Sequence, residues 1–566
     1  MALRTAVRKA VQKRGFAASH LRHLASSSNI ITCPFPEIEI PTCSIPEYIF
    51  SKFGSYGNKV AFECGVTGRK YTFDELRVKS YNLNRALRKK LKLQKDDVVA
   101  VLLPNVPEFP IAVMGILLAG LRVTTMNPIY TQDEIKKQFA DAGAKAMITL
   151  TELFPVVKVA LTGKEIPIIC INDQASSTTP TGAINFKEFA DNSCDIEDIK
   201  LDDQNAVAVM PYSSGTTGLP KGVQLSHRNI LANLSQFMSD DFTIMRLASG
   251  DFQEVVPAIL PMFHIYGFTT ICMAGMNNGG KTITLPKFTP ESYLKLLAQH
   301  KATILFAVPP IVIFLYSHPA VKKELLENVH VLVSGAAPLG ALDEQKFKDK
   351  IGQKVDVLQG YGLSEASPTV MMGARKHDPK PGSLGNIMPN TEVKIMPVGN
   401  PDGEALGPNQ TGELYVKGPQ VMLGYHNRPK ETAETLVDGW LRTGDMFYYD
   451  ENQTFFITDR IKELIKVKGF QVPPAELEEI IRDFPSVNDA AVIGIPHDIY
   501  GEVPRAYVVA KPDSKLDVAE LNGFIDSKVA EYKRVRGGIV VTDCIPKNAS
   551  GKILRRELKL QYQNGK

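Results

Sequence analysis

Between Val98 and Ser334 the chain repeats one theme: short, unbroken aliphatic and β-branched runs separated by stretches of helix length. The runs are Val98–Leu103, Ala146–Thr149, Ile168–Ile171, Ala206–Met210, Val255–Leu260, Thr282–Leu285, Ile304–Val308 and Val329–Ser334. A strand that is apolar on both faces must be covered on both faces, as happens in parallel sheets flanked by helices. The pattern therefore predicts an α/β fold built on parallel strands. Ile111–Leu121 is the longest apolar candidate for a membrane span. It is about half of the roughly 20 residues a bilayer requires, so it reads as a buried helix.

At 566 residues the chain exceeds one ordinary core, and two or more domains are expected. Around Val393–Asp450 the runs shorten and Gly399, Pro401, Gly403, Gly407, Gly412 and Gly418 crowd together, which suggests an antiparallel β subdomain. A boundary is suggested near Asp459-Arg460-Ile461-Lys462. Beyond it come a helix at Pro474–Arg482, strands at Ala490–Ile495 and Ala506–Ala510, a helix through Val518–Tyr532, and a strand at Gly538–Val541. That is a compact α/β unit of about 100 residues, a normal domain size. Its last feature, Pro546–Lys552, reads as an exposed glycine-bearing loop that carries a lysine.

Hydrophobic residues make up 44% of the chain and charged ones 22%, as in soluble globular proteins. The formal net charge of +4 belongs to the leader. Arg4, Arg8, Lys9, Lys13, Arg14 and Arg22 fall before any acidic residue, and without them the body holds 59 basic against 61 acidic side chains. A near-neutral body carries no electrostatic footprint for nucleic acid. The leader, residues 1–28, alternates small or apolar residues with Arg and Lys and is rich in Ser, which reads as a mitochondrial transit peptide. A disordered basic tail on a cytoplasmic or peroxisomal protein is the alternative, although the final Asn564-Gly565-Lys566 is not an SKL-like signal. Seven scattered cysteines form no CxxC pair, and ten histidines form no HExxH, so a reducing compartment is expected and no transition-metal site is indicated.

The chemistry concentrates in a few segments. Met210–Val223, MPYSSGTTGLPKGV, sets Ser213, Ser214, Thr216 and Thr217 around Gly215 and Gly218 and closes on Lys221. Glycines let backbone N–H groups converge on an anion, hydroxyls add donors, and the lysine supplies a mobile positive charge. A polyanion cradle is the reading. It is not a Walker A loop, because Gly222 follows the lysine. Gln359-Gly360-Tyr361-Gly362-Leu363-Ser364-Glu365 offers an aromatic between glycines that can lie against a purine, with a hard oxygen ligand for Mg²⁺ four residues on. Alone, it could equally be a turn with a core tyrosine. Thr443-Gly444-Asp445 places a carboxylate where it could grip two ribose hydroxyls, though Gly-Asp is common in turns.

Taken in order, GTTGLPKG, QGYGLSE, GELYVKG, YHNRPKET, WLRTGD, DRIKELIKVKGFQVPPAELE and PKNASGKILRR occur across almost the whole chain. Together they resemble the adenylate-forming superfamily of acyl-CoA synthetases, beetle luciferases and peptide-synthetase adenylation domains. PMFHIYG at 261–267 and the segment 466–478 look most like 4-coumarate–CoA ligase-like acyl-CoA ligases. The resemblance implies an α/β protein with a large N-terminal AMP-binding domain (29–460) of two αβ sheets and a β-barrel, and a small mobile α+β lid (461–566).

It also implies roles. Ser213, Ser214, Gly215, Thr216, Thr217 and Lys221 would hold the ATP phosphates. Ala337, Gln359, Gly360, Tyr361 and Ser364 would shape the adenine and α-phosphate site, with Glu365 at the magnesium. Asp445 and Arg460 would grip the ribose, with Lys462 at the hinge. Lys552 would serve adenylation, and Lys466 and Gln471 thioester formation. Lys287, Lys468 and Gly469 match coenzyme A contacts, and His264 and Tyr266 line the acyl pocket. Ser364 stands where relatives commonly carry Thr, and the hydroxyl is kept.

The expected activity is an ATP-dependent carboxylate–CoA ligase that uses ATP, Mg²⁺ and coenzyme A on a small-molecule carboxylic acid. A luciferase-type monooxygenase acting through an adenylated substrate is the alternative. A peptide-synthetase module would expect a carrier domain after Lys552, and a non-catalytic binding protein would be expected to lack Lys552 or Glu365. Which acid is taken, and the oligomeric state, are not legible.

Overall fold

The computed structural model describes residues 29–565 except 175, 202, 214–219, 353–354, 378, 462, 468–469, 513 and 549–550, and the backbone alone of Gln471. The leader (1–28) and Ser214, Gly215, Thr216, Thr217, Lys462, Lys468 and Gly469 thus lie outside the described residues.

Each of the eight apolar runs forms a strand. Val98–Leu102, buried at every position, lies mid-sheet between Arg122–Thr125 and Ala144–Leu150, parallel to both. Ile168–Ile171 and Ile184–Asn185 continue the sheet in parallel, and Val207–Val209 joins the other flank. There the direction reverses: Lys221–Ser226 pairs antiparallel with Val207–Val209 and with Tyr212–Ser213, completing nine strands with Gly424–Tyr425. Burial of both faces explains the unbroken apolar runs, and the reversal leaves Tyr212–Ser213 at the end of the sheet.

The second layer has two abutting sheets. Val255–Ala258, Lys281–Thr284 and Val60–Cys64 run parallel. Beside them Ile304–Ala307, Val331–Ser334 and Asp356–Gly362 run parallel, then Thr369–Met372 and Asn386–Ile387 return antiparallel. The Thr303 N–H donates to the Val255 carbonyl at 3.0 Å where the two sheets meet.

Helix His227–Phe237, capped by the Ser226 hydroxyl, crosses the interior between these layers. Its buried Asn229, Asn233 and Gln236 amides donate to the carbonyls of Pro419, Val421, Thr369 and Pro389 at 2.7–2.8 Å. Those bonds satisfy loop carbonyls that would otherwise be stranded in the core, each worth about 1 kcal/mol net. They also fix the two segments that bear site residues.

A six-stranded antiparallel sheet follows, in the region where glycines and prolines crowd the sequence. Its central hairpin, Trp440–Tyr449 with Phe455–Arg460, sets Asp445 directly opposite Arg460. Past it, a five-stranded sheet with helices Pro474–Arg482 and Val518–Lys528 buries its own apolar cluster, including Ile465, Val467, Leu477, Ile481, Val492, Val508 and Ile525. The latter helix stops short of Tyr532; Val529 is extended and a separate 3₁₀ turn spans Glu531–Lys533. No described helix is long and apolar enough to cross a membrane.

Candidate active site

Ser213 and Lys221 are register partners across the antiparallel pair, so they stand side by side at the two ends of the Gly/Ser/Thr stretch. Facing them, the turn Ser364–Ala366 presents Glu365. One carboxylate oxygen, Oε1, accepts from the Ser213 hydroxyl at 3.1 Å and from the Tyr425 hydroxyl at 2.8 Å. The other takes no contact among the described residues. Ser364 is buried beside it.

Gly360, Tyr361 and Gly362 end the strand that begins at Asp356. Gly362 is required there, because a Cβ would lie 2.3 Å from the Pro368 carbonyl oxygen. The Gln359 amide clasps Leu339, accepting from its N–H and donating to its C=O, both at 2.9 Å. That clasp holds the bend carrying half-buried Ala337, in which Ala336 takes a left-handed φ of +68°. Tyr361 is buried edge-on against Phe447, and its hydroxyl donates to Asp445 Oδ2 at 2.7 Å. The core-tyrosine reading holds for it: the ring is buried while its hydroxyl is tied to Asp445. Arg460 Nε meets the other Asp445 oxygen at 3.2 Å. Asp445 is thereby fixed by two charge-favouring donors on opposite sides.

Behind this floor lies a pocket lined by Phe237, His264, Ile265, Tyr266, Val333, Met372 and the Gly360–Gly362 edge. A π-helical turn at Gly267–Met273 shapes one wall. Tyr266 is anchored by its hydroxyl to the Val333 carbonyl at 3.3 Å. Burial, with the nearby Lys552 ammonium adding to it, pushes the His264 imidazole down to about 4. It is therefore neutral at pH 7, and its Nδ1 accepts from the Tyr266 N–H at 3.3 Å.

The C-terminal unit closes over the same place. The Pro546–Lys552 loop was expected to be exposed, and the structure corrects this: its described residues from Pro546 onward are half-buried. Gly551, at φ +77°, fits against Val308, where a Cβ would lie 3.0 Å from Cγ2. The docking surface is a distant segment, so burial could not be read locally. Lys552 is desolvated near Arg460, and its pKa falls to about 8, while Glu463 and Asp445 pull the other way. The Asp459 carboxyl, just before the boundary, is pushed up to about 7 by burial, and its oxygens accept from the Arg460 and Ala475 N–H groups.

Lys466 sits elsewhere. In Ile465–Val467 the outer residues are buried and Lys466 is exposed, directly opposite Gln471 in the neighbouring strand. Lys287 is also exposed, after Lys281–Thr284. The structure therefore brings together Ser213, Lys221, Glu365 and Ser364 on one side; His264, Tyr266 and Tyr361 line the pocket, Asp445 and Arg460 follow from the Tyr361 hydroxyl, and Lys552 lies within electrostatic reach of Arg460 and His264. It leaves Lys466 and Lys287 on the surface.

Two residues escaped the sequence reading although they lie in quoted motifs. Tyr425, of YHNRPKET, bonds Glu365 and lies under Lys221, whose Nζ is 4.6 Å from the ring centroid. Arg555, of PKNASGKILRR, is half-buried and donates to both Glu478 oxygens at 2.8 and 2.9 Å, to the Val492 carbonyl, and to Glu463. Contacts that span so much sequence leave no local signal.

A hydroxyl and a lysine in register, a carboxylate–arginine pair, a lysine from the C-terminal unit and an apolar pocket are the setting of a two-domain enzyme that activates an acid with a nucleotide. The chain belongs to the AMP-binding enzyme family, whose model matches residues 50–426; the AMP-binding enzyme C-terminal domain model matches 476–552. It is similar to 4-coumarate–CoA ligase 1 of Arabidopsis thaliana, 36% identical over 97% of this chain and 99% of the relative. It also resembles probable 4-coumarate–CoA ligase 1 of Dictyostelium discoideum, at 37% over 93% and 97%. Among solved structures, ATP-bound MatB from Rhodopseudomonas palustris superposes with TM-score 0.81 at 27% identity, covering 93% of this chain and 99% of that one.

Proposed function

We propose that this chain is an ATP-dependent carboxylate–CoA ligase. A carboxylate oxygen bonds to the α-phosphorus of ATP and pyrophosphate leaves. The thiol of coenzyme A then attacks the acyl carbon of the adenylate, loses its proton, and AMP leaves. The observation that carries this reading is Lys552, which comes from the C-terminal unit into the electrostatic reach of the Asp445–Arg460 pair and of His264, a pocket-lining residue. Relatives named as CoA ligases over nearly their full length support it.

The first step brings an anion to an anion, a repulsion of about 4 kcal/mol for unit charges at 4 Å and an effective dielectric of 20. Lys552 offsets it, and the fixed site geometry favours in-line attack. Asp445 is placed to accept from the ribose hydroxyls, with Tyr361 and Arg460 keeping its carboxylate oriented. Ser213, Ser214, Gly215, Thr216, Thr217 and Lys221 hold the phosphates, and Ala337, Gln359, Gly360, Tyr361 and Ser364 bound the adenine and α-phosphate site. Glu365 suits magnesium: one oxygen is fixed by two hydroxyls, and Mg²⁺ needs only one or two carboxylates beside phosphate and water oxygens. When bound, that ion neutralises phosphate charge.

For the second step, Lys466 is exposed on the lid hairpin, in register with Gln471 of the neighbouring strand. A rotation at Lys462 would exchange that face for Lys552, and Lys287, Lys468 and Gly469 would meet coenzyme A. His264 and Tyr266 border the acyl group. The apolar walls favour an apolar acid, whether an aromatic propenoate or a fatty acid. Residues 1–28 serve as a mitochondrial transit peptide, which a fusion to a fluorescent protein tests: a diffuse signal would remove that assignment.

The deciding experiment measures pyrophosphate release over a panel of carboxylic acids, with and without coenzyme A. Acid-dependent release without the thiol, and thioester with it, are expected. Release that no acid stimulates refutes the reading. No observation favours the luciferase-type alternative.

A further inference from the structure

Lys221 and Glu365 carry opposite charges and both lie against Tyr425, yet among the described contacts they form no ion pair with each other. Tyr425 lies between them. Its ring carries the Lys221 ammonium at 4.6 Å from the centroid, and its hydroxyl donates to Glu365 Oε1 at 2.8 Å. One side chain thus offers the lysine a π face and the carboxylate a proton donor.

The placement of Tyr425 is heavily determined. Strand Gly424–Tyr425 pairs antiparallel with Lys221–Ser226, Val223 opposite Tyr425. The Leu423 N–H donates to the Gln224 carbonyl at 3.0 Å and the His426 N–H to the Gly222 carbonyl at 2.8 Å. The Met422 N–H reaches the Glu365 carbonyl at 2.9 Å, and the Thr432 hydroxyl accepts from the Tyr425 N–H at 2.9 Å. The ring is therefore stitched to the strand that starts at Lys221 and to the turn that presents Glu365. It is 9% exposed, so it has no room to swing out.

We propose that Tyr425 is a positioning residue that keeps Lys221 from neutralising Glu365 in the free enzyme. Both charges then stay available for the triphosphate and its counter-ion. The inference rests on the phosphate role of Lys221 given above. Without the ring, a mobile four-carbon lysine would fold onto the nearest carboxylate, and ATP would have to break that pair before binding.

The test is ATP binding by calorimetry, with magnesium and without any carboxylic acid, so that no turnover occurs. Tyr425→Phe keeps the π face and should bind ATP within about threefold of the unmodified protein. Tyr425→Leu should weaken binding by about 10- to 100-fold; where melting curves show that it does not fold, Tyr425→Met replaces it with the same expectation. Adding Glu365→Gln to the ring-less variant should recover part of the affinity, because no charge remains to trap Lys221. In the unmodified background the same change should not improve binding.

Equal loss in the Phe and Leu variants, or no recovery in the double variant, overturns the proposal. The role of Glu365 as magnesium ligand is read separately, from magnesium titrations of Glu365→Gln alone. The ligase reading fails separately too, if no acid supports pyrophosphate release.

Discussion

Lys552 offers the sharpest test, because burial and its neighbours place its titration inside a convenient window. A pKa of about 8 leaves the ammonium mostly charged at pH 7 and mostly neutral at pH 9. Burial lowers it first, and Arg460 and Arg555 add repulsion, while Glu463 and Asp445 hold it back. The charged form is the one that offsets carboxylate–phosphate repulsion. The expected profile of kcat/KM for acid-dependent pyrophosphate release is therefore flat below this pKa and falls about tenfold per pH unit above it, since kcat/KM reports the free enzyme. Lys552→Ala should remove that limb and lower the plateau by about 10²–10³, or roughly 3–4 kcal/mol, as for loss of one preorganised donor. Thioester formation from supplied acyl-AMP should persist in the same variant. A profile unchanged through pH 9.5, or equal damage to both half-reactions, would refute the assignment.

Lys466→Ala should leave pyrophosphate release largely intact and slow transfer to coenzyme A; stopped-flow measurement of each half-reaction checks it, and a proportionate loss of both would count against a switching lid. Gly551→Ala forces a side chain into φ +77° and to within 3.0 Å of Val308, so the loop must shift, with a cost of about 1–2 kcal/mol and an adenylation rate that falls while the second step does not. Glu254 tests stability instead. Burial pulls its pKa up, but donors from His330, Arg246 and Thr303 outweigh this and hold the carboxylate down to about 2. The stabilisation it gives is complete above its unfolded pKa near 4.5 and is lost as pH falls toward 2. Glu254→Gln should cost about 1–3 kcal/mol at pH 7 and flatten the acid limb of the melting temperature; an unchanged slope from pH 5 to 2.5 would contradict the assignment.

The central strands were legible because burial on both faces leaves an unbroken apolar signature, as in Val98–Leu102 and Ile304–Ala307. Arg122–Thr125 was not, since Arg122 and two threonines mask a strand that the sheet buries at three of four positions. Helix Phe73–Lys89 is amphipathic and mostly polar, and was passed over although Thr72 and Glu75 form a capping box at its start. At the site, side chains that announce chemistry by type and spacing, such as Lys221, Glu365, Asp445 and Lys552, could be named from the chain. Tyr425 and Arg555 could not. Their parts come from partners 60 or more residues away, as in the contacts with Glu365 and Glu478.

Arg555 lies three residues beyond Lys552 and grips Glu463, at the very start of the lid, together with Glu478 on its first helix. The two chain ends of the unit are thus cross-braced through one half-buried guanidinium. A unit tied this way would turn as one body about the proposed hinge, carrying Lys552 with it. Substitutions that loosen this brace would blur both end positions at once, without altering any atom of the reacting groups.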